Sequence, residues 1–238
     1  MVAKSRALLD PVADLRRRLR RGRQLRAIVH RWWNDHALAG HPATVGKRIA
    51  LALLEQRPAE LKRAGMLVLE ELLADHLRAS DLPVFARLFG DGQLADWETV
   101  DAFAARVLGT LLHRVRGRGE VARALAQWRG AETAWQRRAA CVAFTQLAPQ
   151  GDAALPGLSQ LVLATCGYVL WSHERIDQTA AGWLLRELSR AEPARVEVFF
   201  RRHARLMSRE CARAAVARLP WPRQRELLAH HRRATTIR

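Results

Sequence analysis

The 238-residue chain is 49% hydrophobic and 26% charged, the balance of a globular protein with enough length for a sizeable core. Its 40 basic residues against 23 acidic ones give a net charge of +17, and all but Lys4, Lys47 and Lys62 of the basic residues are arginine. Arginine's planar fork takes phosphate oxygens in pairs, so this excess points to a polyanionic partner, nucleic acid first.

Several classes fall away. No apolar run approaches the roughly 20 residues that span a bilayer, so no membrane partner is expected. The first thirty residues are Arg-rich but carry Asp10 and Asp14 and have no apolar signal core, which argues against secretion. Cys141, Cys166 and Cys211 lie far apart with no C-x-x-C pair, and the nine histidines form no H-E-x-x-H. Neither a disulfide framework nor a metal site is predicted, and a reducing cytoplasm is the expected setting.

In chain order the signals are helical throughout. The run Arg16, Arg17, Arg18, Arg20, Arg21, Arg23 and Arg26 wraps more than one face of a helix. It reads either as a solvated surface or as a DNA-backbone contact, with Arg16, Arg17 and Arg20 as candidates. Pro58 opens a helix to about His76, with Leu61, Ala64, Gly65, Val68, Leu69 and Leu72 on one face. Ser80 or Asp81 caps a helix through Phe89, stopped by Gly90 and Gly92. From Trp97 to Leu112 the stripe is Val100, Phe103, Ala104, Val107, Leu108 and Leu111.

Further helices are predicted at about 119–129, 132–148, 157–171, 174–191, 193–205, 208–218 and 222–232. Breaks fall at Gly130, Pro149 to Gly157, Glu192-Pro193 and Leu219 to Pro222. With strand signals nearly absent the class is all-α. Many short helices joined by turns suggest stacked antiparallel pairs, a solenoid with a long concave face, against a compact irregular bundle. The chain reads as one domain over 1–238, with Arg-rich helices in 1–40 and a core in 41–220.

Three segments set tryptophan beside charge: W-E-T-V-D at 97–101, W-Q-R-R-A-A at 135–140 and Q-T-A-A-G-W-L-L-R-E-L-S-R at 178–190. Trp97 and Asp101 share a helix face by their spacing of four. On residue physics alone these tryptophans read as packing anchors and the charges as inter-helix pairs.

The same three segments, in this order and spacing, resemble the AlkD-like alkylpurine DNA glycosylases of the DNA alkylation repair family. The likeness extends over about 40–220 and includes Leu206 to Glu210 after the Pro193 stretch. It implies a superhelix of HEAT-like repeats with a concave basic face, and no cofactor. It places Asp101 on the catalytic carboxylate, Arg138 on an arginine that holds backbone phosphate, and Trp97 and Trp183 on aromatics flanking the deoxyribose. Arg137 and Gln178 follow as DNA-contact candidates. The implied partner is duplex DNA containing alkylated purines, bound by a monomer, with the base read through the backbone rather than in a deep pocket.

A purine alkylated at N3 or N7 is cationic and leaves readily, so the implied task is stabilising the sugar as it becomes oxocarbenium-like. Asp96 stands where the family often has a first Trp, and Glu98 where Asp is common. Trp32, Trp33 and Asn34 are candidates for the N-terminal lesion contacts. The rival readings are a non-enzymatic damage-binding protein and a helical scaffold for protein partners.

Overall fold

A computed structural model describes residues 2–21, 24–114 and 117–236; Arg23 and the side chain of Arg21 lie outside the described residues. Among these residues the chain forms fourteen α-helices and no strand, joined by short turns and 3₁₀ segments. The protein is all-α. No described helix is long and apolar enough to cross a membrane. Two compact units divide it, Met1–Thr99 and Val100–Arg238.

The first unit holds α1 (Val2–Arg21), α2 (Leu25–Asp35), α3 (Ala43–Leu54), α4 (Ala59–Leu67) and α5 (Leu82–Gly90). The predicted Pro58–His76 helix is α4 prolonged by a π turn (Val68–Leu72) and a 3₁₀ turn (Ala74–His76). Its apolar face is buried except at Leu72. A Cβ on Gly65 would stand 2.7 Å from the Ala50 carbonyl, so α3 and α4 come close only because that side chain is absent. The Trp32 indole N–H donates to the Pro11 carbonyl at 2.9 Å, fixing α2 on α1. Asp14, paired within α1 to Arg18 at 2.7 Å, ties α1 to the end of α2 through His36 at 3.0 Å. Burial pushes the Asp14 carboxyl up, but the bonds and charges of His36 and Arg18 outweigh it and hold the group below its ordinary value.

Helix α6 (Trp97–Phe103) crosses the division and continues through a π turn (Ala104–Leu108) into α7 (Gly109–Arg114). The predicted stripe Val100, Phe103, Ala104, Val107, Leu108 and Leu111 is fully buried. In the second unit follow α8 (Arg118–Gln127), α9 (Ala134–Ala143), α10 (Leu158–Val169), α11 (Arg175–Leu188), α12 (Pro193–His203), α13 (Arg209–Val216) and α14 (Trp221–Thr236). Helices α9, α11 and α13 pack in one row, and α8, α10 and α12 pack beside them in a second. This alternation is the helix-pair stacking expected of HEAT-like repeats. Gly182 permits the closest approach in the first row: a Cβ there would meet the Cys211 carbonyl at 2.8 Å.

Two helix ends differ from expectation. The helix expected over 132–148 stops at Ala143, because Phe144 to Leu147 tighten into turns ahead of Pro149. The last helix runs on to Thr236. Cys141, Cys166 and Cys211 are buried free thiols; burial pushes Cys141 and Cys211 up to about 12.

Candidate active site

The site begins at the N-terminus of α6. Asp96 Oδ1 accepts the Thr99 backbone N–H at 2.8 Å, so the residue that replaces the expected tryptophan serves as a helix cap. Val100 and Phe103 anchor the inner face of α6 in the core. That leaves Trp97, 38% exposed, one helical turn before Asp101, whose side chain is 26% exposed. The π turn follows directly; its Ala105 carbonyl accepts from Gln146 Nε2 at 3.2 Å. Such turns recur at functional sites, where they re-aim the neighbouring residues.

Asp101 is gripped from α9. Arg138 donates from Nε to Oδ1 and from Nη2 to Oδ2, both at 2.6 Å. This is the paired fork geometry that gives arginine–carboxylate contacts their strength and direction. The Arg138 side chain is only 5% exposed, set among the buried Ala139, Ala140 and Cys141 of α9. Its remaining nitrogen, Nη1, donates to Thr179 Oγ1 at 3.1 Å and to the Ile176 carbonyl at 3.4 Å on α11. Thr179 in turn donates to the Arg175 carbonyl at 2.8 Å. Asp101, Arg138 and Thr179 therefore form one brace across α6, α9 and α11.

The neighbouring arginine repeats the device. Arg137 forks Asp177, with Nη2 to Oδ2 at 2.7 Å and Nε to Oδ1 at 3.2 Å, and Asp177 is wholly buried. Nη1 of Arg137 donates to the Ala131 and Glu132 carbonyls, and Nη2 also reaches Glu174 at 3.0 Å. Chiefly through the bond to Asp177, the guanidinium is held above its ordinary value.

These contacts revise two of the expected roles. Arg137 is committed to Asp177 and Glu174, so it braces α9 on α11 and has no nitrogen left to offer a phosphate. Gln178 is 2% exposed; its Nε2 donates to the Leu170, Ser172 and Leu206 carbonyls and its Oε1 accepts from Ser208 N. It is a loop clamp within the protein, out of reach of DNA. Arg138 too can meet a phosphate only by giving up partners it holds here.

The other expected residues are more accessible. Trp183 lies on α11 one turn beyond Thr179, half-buried, with the Arg186 guanidinium 5.8 Å from its ring centroid. Arg16, Arg17 and Arg20 are exposed on α1, although Arg17 meets Asp14 at 3.3 Å. Trp32 and Trp33 are buried and cannot touch a lesion, whereas Asn34 is exposed. Of the tryptophans outside the motifs, Trp128 is also buried, whereas Trp171 and Trp221 are exposed. Glu98 is 76% exposed and pairs with Arg63 at 3.3 Å, an ordinary first-turn surface charge.

The sequence profile of the DNA alkylation repair enzyme family matches residues 21–219, most of the chain. The chain belongs to that family. No curated protein and no solved structure matches it. Membership makes this an enzyme family of DNA repair and makes DNA its partner. The match begins well before residue 40, where the resemblance in the motifs had started, and takes in all of α2. It includes all three tryptophan-centred segments and so the whole Asp101–Arg138–Thr179 brace.

Sequence reasoning missed Thr179 and Asp177. Thr179 follows Gln178 in the third segment and Asp177 stands just before it, and the buried partner of an arginine cannot be told from its neighbours by spacing alone. The one available signal was Thr179 standing four residues before Trp183, hence on its helix face.

Proposed function

We propose that this protein is a DNA glycosylase that hydrolyses the N-glycosidic bond of cationic N3- or N7-alkylated purines in duplex DNA, the first step of base excision repair. The reading rests above all on Asp101: a part-exposed carboxylate in the first turns of α6, fixed by a buried two-bond arginine fork beside an accessible tryptophan.

The chemistry follows from what is held and what is left open. The alkylated base carries its own positive charge and departs without a proton donor. Charge then builds on the deoxyribose, and the accessible edge of Asp101 meets it. Because Arg138 fixes both oxygens in advance, no reorganisation is needed as the bond breaks. The Asp101–Arg138 pair is formally neutral, so it presents the sugar with an oriented dipole whose negative end points outward. The same edge accepts a proton from the water that attacks the anomeric carbon. Trp97, exposed, and Trp183, half-buried, are the aromatics proposed to meet the cationic sugar. The arginines exposed on α1, and Arg209 and Arg213 exposed on α13, supply sequence-independent grip on the DNA backbone.

A duplex carrying a pyrrolidine in place of the damaged deoxyribose tests this directly, since its ring nitrogen is cationic where the sugar would be. Binding about a hundredfold tighter than to the same duplex with a neutral tetrahydrofuran is expected, by fluorescence anisotropy at matched salt. Equal affinity for the two would contradict a site built to face a sugar cation.

A further inference from the structure

Two large aromatics stand in solvent at the end of α10. Tyr168, in the last turn of that helix, is 55% exposed, and Trp171, three residues on, is 71% exposed, the most exposed of the eight tryptophans. Leaving two large aromatics in water forgoes their burial, and among the described residues no apolar partner covers them. They line a cleft of about 490 Å³ with Arg129, Ala131, Arg137 and Ser172. That volume falls in the range of small-ligand sites, about 300–1,000 Å³. The Arg129 guanidinium lies 6.0 Å from the Tyr168 ring centroid, an aromatic–cation pair in the wall of the cleft.

The chemistry of the walls selects the occupant. Arg137 is already neutralised by Asp177 and Glu174, so the cleft is poor in charge available to a phosphate and rich in flat π surface. Flat aromatic faces with one guanidinium beside them are what an unstacked nucleobase takes; a paired base keeps its faces covered by its neighbours. Position agrees. Arg137, in the wall of this cleft, adjoins Arg138, which forks Asp101, so the cleft and the Asp101 brace are both built on the start of α9.

We infer that Tyr168 and Trp171, with Arg129, form a stacking subsite for an unpaired nucleotide of the bound DNA. The inference rests on the DNA-binding half of the proposed function and not on the chemistry of Asp101.

The test compares the full chain's affinity for a paired duplex and for the same duplex bearing one extrahelical nucleotide, by anisotropy at fixed salt. The wild type is expected to favour the bulged duplex by about tenfold, the scale of one base stacked on an aromatic side chain. Combined Tyr168→Ala and Trp171→Ala should remove that preference and change the affinity for paired duplex by less than about twofold. Trp171→Phe should retain most of it. No preference in the wild type, a preference that survives the double substitution, or an equal loss on both duplexes would each overturn the inference; the second would place the bulge elsewhere, and a protein-docking role predicts the first.

Base release from an alkylated duplex, measured on the same preparations, separates the two claims. Release without bulge preference sinks the subsite alone. Aromatic-dependent bulge preference without release upholds the subsite and sinks the glycosylase reading.

Discussion

Asp101→Asn is expected to lower single-turnover base release by about a thousandfold or more, with affinity for the alkylated duplex held within about threefold. Asparagine keeps the shape of the side chain and one oxygen for Arg138, so α6 stays where it is. What disappears is the second acceptor of the fork and the negative edge that meets the sugar. The charge on that sugar exists only as the bond breaks, so its loss falls on the rate and not on binding. Quench-flow or timed-quench assays at saturating protein, paired with anisotropy, measure the two separately. Equal loss of binding and rate would instead make Asp101 a ground-state contact.

Arg138→Ala carries the second large effect. The substitution removes both bonds to Asp101 and the link to Thr179, so the carboxylate is free to swing among rotamers that face solvent. Misplacing a catalytic group by about an ångström costs on the order of a hundredfold, and that fall in base release is expected here. Stability should drop as well. Breaking a buried pair costs about 3–5 kcal/mol, but Asp101 is 26% exposed and can rehydrate, so about 2–3 kcal/mol is expected. Arg138→Lys separates the two roles: it restores the charge without the fork, and should recover most of the stability but little of the rate. Urea melts beside single-turnover rates decide this. A lysine variant with wild-type rate would show that charge, and not orientation, is what Asp101 needs.

Much of the fold was legible because helical periodicity is written in apolar spacing. Every stripe residue proposed in 97–112 is buried, and Pro and Gly breaks located most of the helix ends. The misses have local causes. Helix α9 stops early because the chain tightens into turns at Phe144 to Leu147, which an unbroken apolar pattern conceals.

At the candidate site, the family resemblance pointed to Asp101, Arg138, Trp97 and Trp183, of which the structure bonds Asp101 to Arg138, but spacing could not tell what each does to its neighbours. Arg137 and Arg138 are adjacent and chemically identical, yet one forks a buried aspartate and the other a part-exposed one. That difference arises from the 100° step between successive residues on α9, which turns one toward Asp177 and the other toward α6. Gln178 shows the same limit, since a polar residue in a motif is as readily a buried clamp as a contact. The aromatic pair at Tyr168 and Trp171 belongs to no motif, and only its exposure draws notice.

In the proposed reaction the bond broken is the one between base and sugar. The most direct measurement is a product balance on duplex DNA containing 7-methylguanine: free 7-methylguanine by mass spectrometry, and abasic sites in the strand by alkaline cleavage. The two are expected in equal amounts, rising together with time. An intact strand carrying guanine where the methylated base had been, with no free base, would place the chemistry on the alkyl group and contradict the proposed reaction.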